Sequence, residues 1–258
     1  MSSHLPDSNH APGAHLARIA ILSDVHGNLP AFRAVVADVR DAAVDAIWCL
    51  GDLVGYGASP DECVALALTE CDIVLGGNHD LAVVGRVELS DFSPAAATAA
   101  RWTREHASAE TLAVLETLAP TRASERIGLY HGSPTDPIWE YVLSSEQAEQ
   151  SFDAMEPRVG AIGHTHVALR FTRVDGELLG EQTPGGTEHD LADGEWLLNP
   201  GSVGQPRDRD PRAAWLLLDL DRWTASWRRV DYPIDEAAKA IVTADLPRHL
   251  ADRLFIGQ

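Results

Sequence analysis

The chain has 258 residues, 45% of them hydrophobic, with 39 acidic side chains against 20 basic ones and a net charge of −19. That length makes one large domain or two small ones, with enough apolar material for a substantial core. So acidic a chain repels a phosphate backbone, which argues strongly against generic nucleic-acid binding, and no apolar run approaches the roughly 18 residues of a membrane span. Lys239 is the only lysine; the acidity fits either a salt-adapted or high-GC source, where Asp, Glu and Arg crowd out Lys, or ordinary solubility.

Residues 1–17 are polar and rich in His, Pro and Ser. They lack the cationic start and apolar core of a signal peptide, so they read as a disordered tail in which His4, His10 and His15 are solvated. Residues 18–258 then form a single domain. Residues 18–23 (RIAILS) are an apolar run of strand length, and residues 30–41 carry Phe32, Val35, Val36 and Val39 at helical spacing. Residues 45–50 (DAIWCL) are a second strand, residues 60–69 a helix with Pro60 in its first turn, and residues 72–75 a third strand. This alternation argues for parallel βαβ units. Residues 81–118 are Ala-rich and helical, with Ser93-Pro94 and Ser108 as helix starts.

From residue 125 strand patterns dominate, at 126–130, 159–162, 168–173, 177–182, 195–198, 213–218 and 224–230. Asp175-Gly176 and Asp221-Arg222 mark hairpins, residues 184–193 a loop, and residues 232–244 and 246–254 closing helices. A βαβ half followed by a mostly β half predicts two mixed sheets face to face with flanking helices. That is an α/β fold built as a four-layer α/β/β/α sandwich. Cys49, Cys63 and Cys71 have no CxxC spacing, and with no export signal they fit a reducing, cytoplasmic location.

Five short clusters stand out: Asp24-Val25-His26, Gly51-Asp52, Gly77-Asn78-His79-Asp80, His131-Gly132 and Gly163-His164-Thr165-His166. Most follow an apolar run, which predicts that the first three meet beyond the carboxyl ends of the sheet strands. Asp24 and His26, like His164 and His166, are two positions apart. At a strand end that spacing points both side chains to one face. The donors are carboxylate, imidazole and amide without thiolate, a set suited to divalent Mn, Fe, Zn or Ni rather than to a structural zinc. Two ions a few ångströms apart, with a carboxylate between them, form the clamp of hydrolytic phosphate chemistry. Arg207, Arg209 and Arg212 follow a Gly-rich stretch at 199–204. They either grip an anionic group or pair with Asp208 and Asp210. Asn28 either helps at the site or caps the first helix, and Tyr56 and Trp139 either line the pocket or pack in the core.

Together these clusters resemble the signature of the calcineurin-like metallophosphoesterases, over about residues 18–230 and nearest to the compact bacterial and archaeal phosphoesterases. Ser23-Asp24-Val25-His26-Gly27-Asn28, His131-Gly132-Ser133-Pro134 and residues 199–207 (NPGSVGQPR) add to the likeness. The resemblance implies the same sandwich fold and two divalent metal ions, manganese first among them. Asp24, His26 and His166 would hold one ion, and Asn78, His131 and His164 the other, with Asp52 bridging. His79 would face the scissile phosphate, as general acid for the leaving oxygen or as a stabiliser of the transition-state charge, with Asp80 orienting its ring, while Asn28 and Arg207 are the substrate-binding candidates. The implied activity is hydrolysis of a small or nucleotide-like phosphate ester, a diester first, by attack of a metal-bridging hydroxide. The family also holds a non-catalytic retromer scaffold, dinucleoside polyphosphate hydrolases and protein phosphatases. Gly55-Tyr56-Gly57 and Asp80 depart from the protein-phosphatase pattern, which has an arginine after the Gly-Asp and a glutamate after the Asn-His. Self-association into a homo-oligomer is left open.

Overall fold

Residue pairs along the central strands alternate between two separate cores, and that alternation sets the layers. The computed structural model describes residues 16–123 and 126–258. The expected tail falls outside the described residues except for Leu16 and Ala17. Leu16 packs on the inter-sheet core, and the Ala17 N–H donates to Asp45 Oδ2 at 3.0 Å.

The first half runs β1 (Arg18–Leu22), α1 (Leu29–Asp41), β2 (Ala46–Cys49), α2 (Pro60–Glu70), β3 (Ile73–Val74), α3 (Asn78–Val83), a 3₁₀ turn at Leu89–Asp91, α4 (Pro94–His106) and α5 (Ala109–Thr117). The second half runs β4 (Thr121–Ala123), β5 (Gly128–Tyr130), α6 (Ser145–Ala154), β6 (Val159–Ala161), β7 (Ala168–Val174), β8 (Glu177–Gln182), β9 (Glu188–Asp190), β10 (Glu195–Pro200), β11 (Ala213–Asp219) and β12 (Thr224–Val230). It closes with α7 (Ile234–Thr243), α8 (His249–Asp252) and a 3₁₀ turn at Arg253–Phe255.

One sheet has the order β3-β2-β1-β11-β12-β9 and the other β4-β5-β6-β10-β7-β8. In β1, Ile19 and Ile21 face the second sheet, whereas Ala20 and Leu22 face α1, α2 and the C-terminal helices. In β10, Trp196 and Leu198 face inward, while Leu197 joins Phe152 of α6 in a smaller outer core. The period of two thus sorts each strand's apolar residues into an inter-sheet layer and an outer layer. The architecture is the expected four-layer sandwich of two mixed sheets with flanking helices.

The parallel pairs β1–β2, β2–β3 and β5–β6 align the carboxyl ends of those strands. Ser93 and Ser108 cap α4 and α5 as their sequence context predicts. Three elements depart from expectation. The 184–193 loop contains β9, which among the described residues pairs only with β12. β4 is an exposed edge strand on β5. α6 is mostly polar, burying Ala148, Ser151 and Phe152, and its one sequence signal is a Ser144–Gln147 capping box. No helix among the described residues is long and apolar enough to cross a membrane.

The segment after β10 laces onto the loop after β1. Val203 N–H donates to Ser23 O and Gly204 N–H to Asp24 O, each at 2.9 Å. A Cβ on Gly204 would lie 1.9 Å from Val25 O. Gly204→Ala is therefore expected to cost about 1–3 kcal/mol, the range for overpacking a tight contact. A thermal melt should show the loss as a midpoint lowered by several degrees; a curve superimposable on that of the unchanged chain would contradict this packing.

Candidate metal centre

The five clusters meet. Asp24 and His26 follow β1, Asp52 follows β2, Asn78 opens α3 beyond β3, His131 follows β5, and His164 and His166 follow β6. All seven are buried. Ligand atoms of Asp24, His26, Asp52 and His166 lie within 4.8 Å of one another, and so do those of Asp52, His131 and His164. Asp52 belongs to both groups. Its Oδ2 lies 3.6 Å from His26 Nε2 and 3.6 Å from His131 Nε2. Asn78 Oδ1 lies 3.1 Å from His131 Nε2, which adds it to the second group.

The backbone that delivers these residues differs from the expected strand-end pleat. Asp24, His26, Asp52, His164 and His166 have φ of 57°, 50°, 53°, 64° and 60°. These are left-handed conformations, costly for any residue with a Cβ. The paired ligands therefore converge through tight left-handed turns, not through strand alternation. Such strain persists where the surroundings over-determine the loop. Here the loops hold one another: Asp24 N–H donates to Gly51 O, His26 N–H to Asp52 O and Gly27 N–H to Leu53 O, at 3.0, 2.9 and 2.9 Å. At Gly77 a Cβ would sit 2.0 Å from Asp52 Oδ1, so only glycine lets α3 approach that carboxylate.

Main-chain carbonyls set the protonation of the rings. His26 Nδ1 donates to Val54 O, His131 Nδ1 to Leu50 O and His166 Nδ1 to Gln205 O, at 3.1, 3.0 and 2.7 Å. A carbonyl only accepts, so each Nδ1 carries the proton and each Nε2 presents a lone pair. His164 is reversed: its Nε2 donates to Trp139 O at 3.2 Å, which leaves Nδ1 free. Burial pushes the His26, His164 and His166 rings well below their usual range, and His131 down to about 4. The neutral rings then bring lone pair against lone pair: His26 Nε2 and His166 Nε2 are 2.9 Å apart. Asp24 Oδ1 and Asp52 Oδ2 are buried beside them without a hydrogen-bond partner. Acceptors converging on acceptors in a buried pocket favour a cation among them, so this donor set fits a divalent metal ion.

His79 lies beside the ligands and lines the same cleft. Its ring is wedged by Tyr56, at 4.4 Å between centroids, and by Phe92, at 4.9 Å. Its Nδ1 is buried, packed against Gly55, and has no hydrogen-bond partner. Asp80 does not orient this ring, contrary to expectation. Its carboxylate accepts from the N–H groups of Val54, Leu53 and Gly77, at 3.1, 3.2 and 3.0 Å. Asp80 thus braces the Asp52 loop and caps α3. Asn28 caps α1 through its Oδ1, and its Nδ2 donates to Gly204 O at 2.8 Å, so its amide is engaged by the scaffold. Arg207 faces the cleft, as do Tyr56 and Trp139, whereas Arg212 pairs with Asp210. The side chains sequence reading missed are Phe92, Tyr141 and Arg253 of the cleft wall, which sit in no recognisable motif.

Burial raises the Asp24 carboxyl to about 7 and pushes Asp52 up as well. Near pH 6 the Asp24 carboxyl therefore holds a proton that a metal ion must displace. The sign follows: metal affinity rises with pH as the raised carboxyl groups ionise, Asp24 doing so around pH 7. Calorimetric titration of metal into the chelator-treated chain, in buffers of different ionisation enthalpy, should show release of about one proton or more near pH 6 and less near pH 8. Equal proton release at both would contradict the raised carboxyl.

The family model for the calcineurin-like phosphoesterase superfamily domain matches residues 17–222. Uncharacterized protein MJ0912 of Methanocaldococcus jannaschii is 36% identical over 246 residues, spanning 93% of this chain and 98% of that protein. The crystal structure of a metallophosphoesterase from Sphaerobacter thermophilus is 38% identical and superposes with a TM-score of 0.85, covering 95% of this chain and 100% of that one. The hypothetical protein PH1004 of Pyrococcus horikoshii shares the fold at a TM-score of 0.75 and 17% identity, over 93% and 98% of the two chains. The chain therefore belongs to the calcineurin-like phosphoesterase superfamily.

Proposed function

We propose that this chain is a dinuclear-metal phosphoesterase, a phosphodiesterase that hydrolyses small or nucleotide-like esters, working in the cytoplasm with manganese as the first metal to test. The observation that carries the reading is the shared Asp52 Oδ2, 3.6 Å from one histidine of each ligand group and free of any other partner. When bound, two divalent ions supply positive charge to the phosphoryl oxygens and lower the pKa of a water.

The chain's own groups do the rest. Asp52 Oδ1 accepts from the His79 N–H at 2.8 Å, which fixes the carboxylate and turns Oδ2 toward both ligand groups. The same bond sets the start of α3, and with it His79 and Asn78. Because His79 Nδ1 packs against Gly55, Nε2 is the ring nitrogen available to a ligand in the cleft. This supports His79 as the group that meets the leaving oxygen, either handing it a proton or stabilising the charge that develops there. The cleft, about 280 Å³, is walled by Tyr56, Phe92, Trp139 and Tyr141. Flat apolar walls beside the ligands suit the organic arm of an ester. Every ligand position and His79 are filled, which speaks against a scaffold that has dispensed with chemistry.

Steady-state hydrolysis of bis(4-nitrophenyl) phosphate by the manganese-loaded chain tests the reading. His79→Ala is expected to lower kcat by about 100-fold or more while bound metal is retained, the usual loss for a general acid. Asp52→Asn should lose both turnover and bound metal. Full turnover in both variants would refute the assignment.

A further inference from the structure

We infer that the Asn199 side-chain amide and the Thr165 hydroxyl form a positioning pair that holds His164 and His166 at their two ion positions. This rests on the two-ion reading above. The turn at 163–166 supplies one histidine to each ligand group: His166 stands with Asp24, His26 and Asp52, and His164 with Asp52 and His131. Both histidines are in left-handed conformations, with Thr165 between them. A distortion of this one turn therefore displaces a ligand of each group at once.

Strand β10 lies between the two arms of that turn. It pairs parallel with β6, which enters the turn, and antiparallel with β7, which leaves it. Asn199 is its penultimate residue and is fully buried. Its Nδ2 donates to Gly163 O at 2.8 Å and to Thr165 Oγ1 at 3.0 Å, one partner on each side of His164. Its Oδ1 accepts from the Gly201 N–H at 2.9 Å, so both amide hydrogens and the amide oxygen are engaged. Thr165 Oγ1 passes the constraint on: it accepts from the Val167 N–H at 3.2 Å, closing the turn behind His166. The pair thus bonds on both sides of each histidine. Neither side chain is part of the cleft wall, so both act through the histidines they flank. The rings depend on the turn in their turn, because His164 Nε2 reaches Trp139 O, and His166 Nδ1 reaches Gln205 O, only from this backbone. Groups that orient metal ligands in this way commonly control affinity by about 10–100-fold.

Thr165→Val and Thr165→Ser separate this role from plain packing. Valine keeps the volume and loses the hydroxyl; serine keeps the hydroxyl and loses the methyl. In calorimetric titration of manganese into the chelator-treated proteins, Thr165→Val is expected to weaken both ions by about tenfold or more, and Thr165→Ser to stay within about threefold of the unchanged chain. A valine variant that binds as tightly as the unchanged chain, or a serine variant that loses as much as valine does, overturns the positioning role. The second measurement needs no metal. Nitrogen-15 NMR of the imidazoles near pH 8 reads which ring nitrogen carries the proton. The unchanged chain and Thr165→Ser should show His164 protonated at Nε2 and His166 at Nδ1, whereas Thr165→Val should show mixed tautomers at both. Ring signals in the valine variant that match those of the unchanged chain overturn the role. Should the unchanged chain take up no manganese, the two-ion reading fails, and the ring signals alone decide whether the pair positions the histidines.

Discussion

Lone pairs facing lone pairs in a buried pocket are the constraint on which the rest of the structure depends. His26, His131 and His166 each give their Nδ1 proton to a main-chain carbonyl, so each turns an acceptor nitrogen inward. Those nitrogens meet each other and the unpartnered oxygens of Asp24 and Asp52. An unsatisfied buried polar group costs about 1–3 kcal/mol, and more when it is charged. Several at one point would be a serious burden on a domain whose net stability is typically about 5–15 kcal/mol. A cation turns the same arrangement from cost to gain.

Much of the fold serves to keep that pocket from relaxing. Parallel pairing aligns the ends of β1, β2 and β3 in one sheet and of β5 and β6 in the other. The two cores on either side of β1 hold those ends at a fixed separation. The left-handed turns at the ligands are then locked by bonds between loops that are far apart in sequence, such as Gly204 N–H to Asp24 O. Asp80 illustrates the division of labour. A carboxylate next to the proposed general acid His79 would be expected to orient its ring, yet this one gathers three main-chain N–H groups and holds the loop that carries Asp52. The ring of His79 is positioned by packing against Tyr56 and Phe92 instead.

The ligand clusters were legible in the sequence because each is short, sits at the end of an apolar run and uses residue types with few other reasons to sit together. The layer order was legible because the central strands keep a period of two. What was hidden has physical causes. The carbonyls of Val54, Leu50, Gln205 and Trp139 fix the ring tautomers, but a main-chain atom leaves no mark on residue identity. The helix α6 buries so few apolar side chains that its periodicity is faint. The strand β9 is three residues long and depends wholly on β12. Arg253 looks like a surface arginine until the C-terminal segment folds back against the cleft.

The converging acceptors are proposed to hold two divalent ions, with Asp52 common to both ligand groups. Anomalous diffraction from crystals of the manganese-loaded chain tests it most directly. The account predicts two anomalous peaks, one between His26 Nε2 and His166 Nε2 and one beside His131 Nε2 and His164 Nδ1, with Asp52 Oδ2 reaching both. An anomalous map without peaks at these atoms, in crystals with manganese in excess, would contradict it.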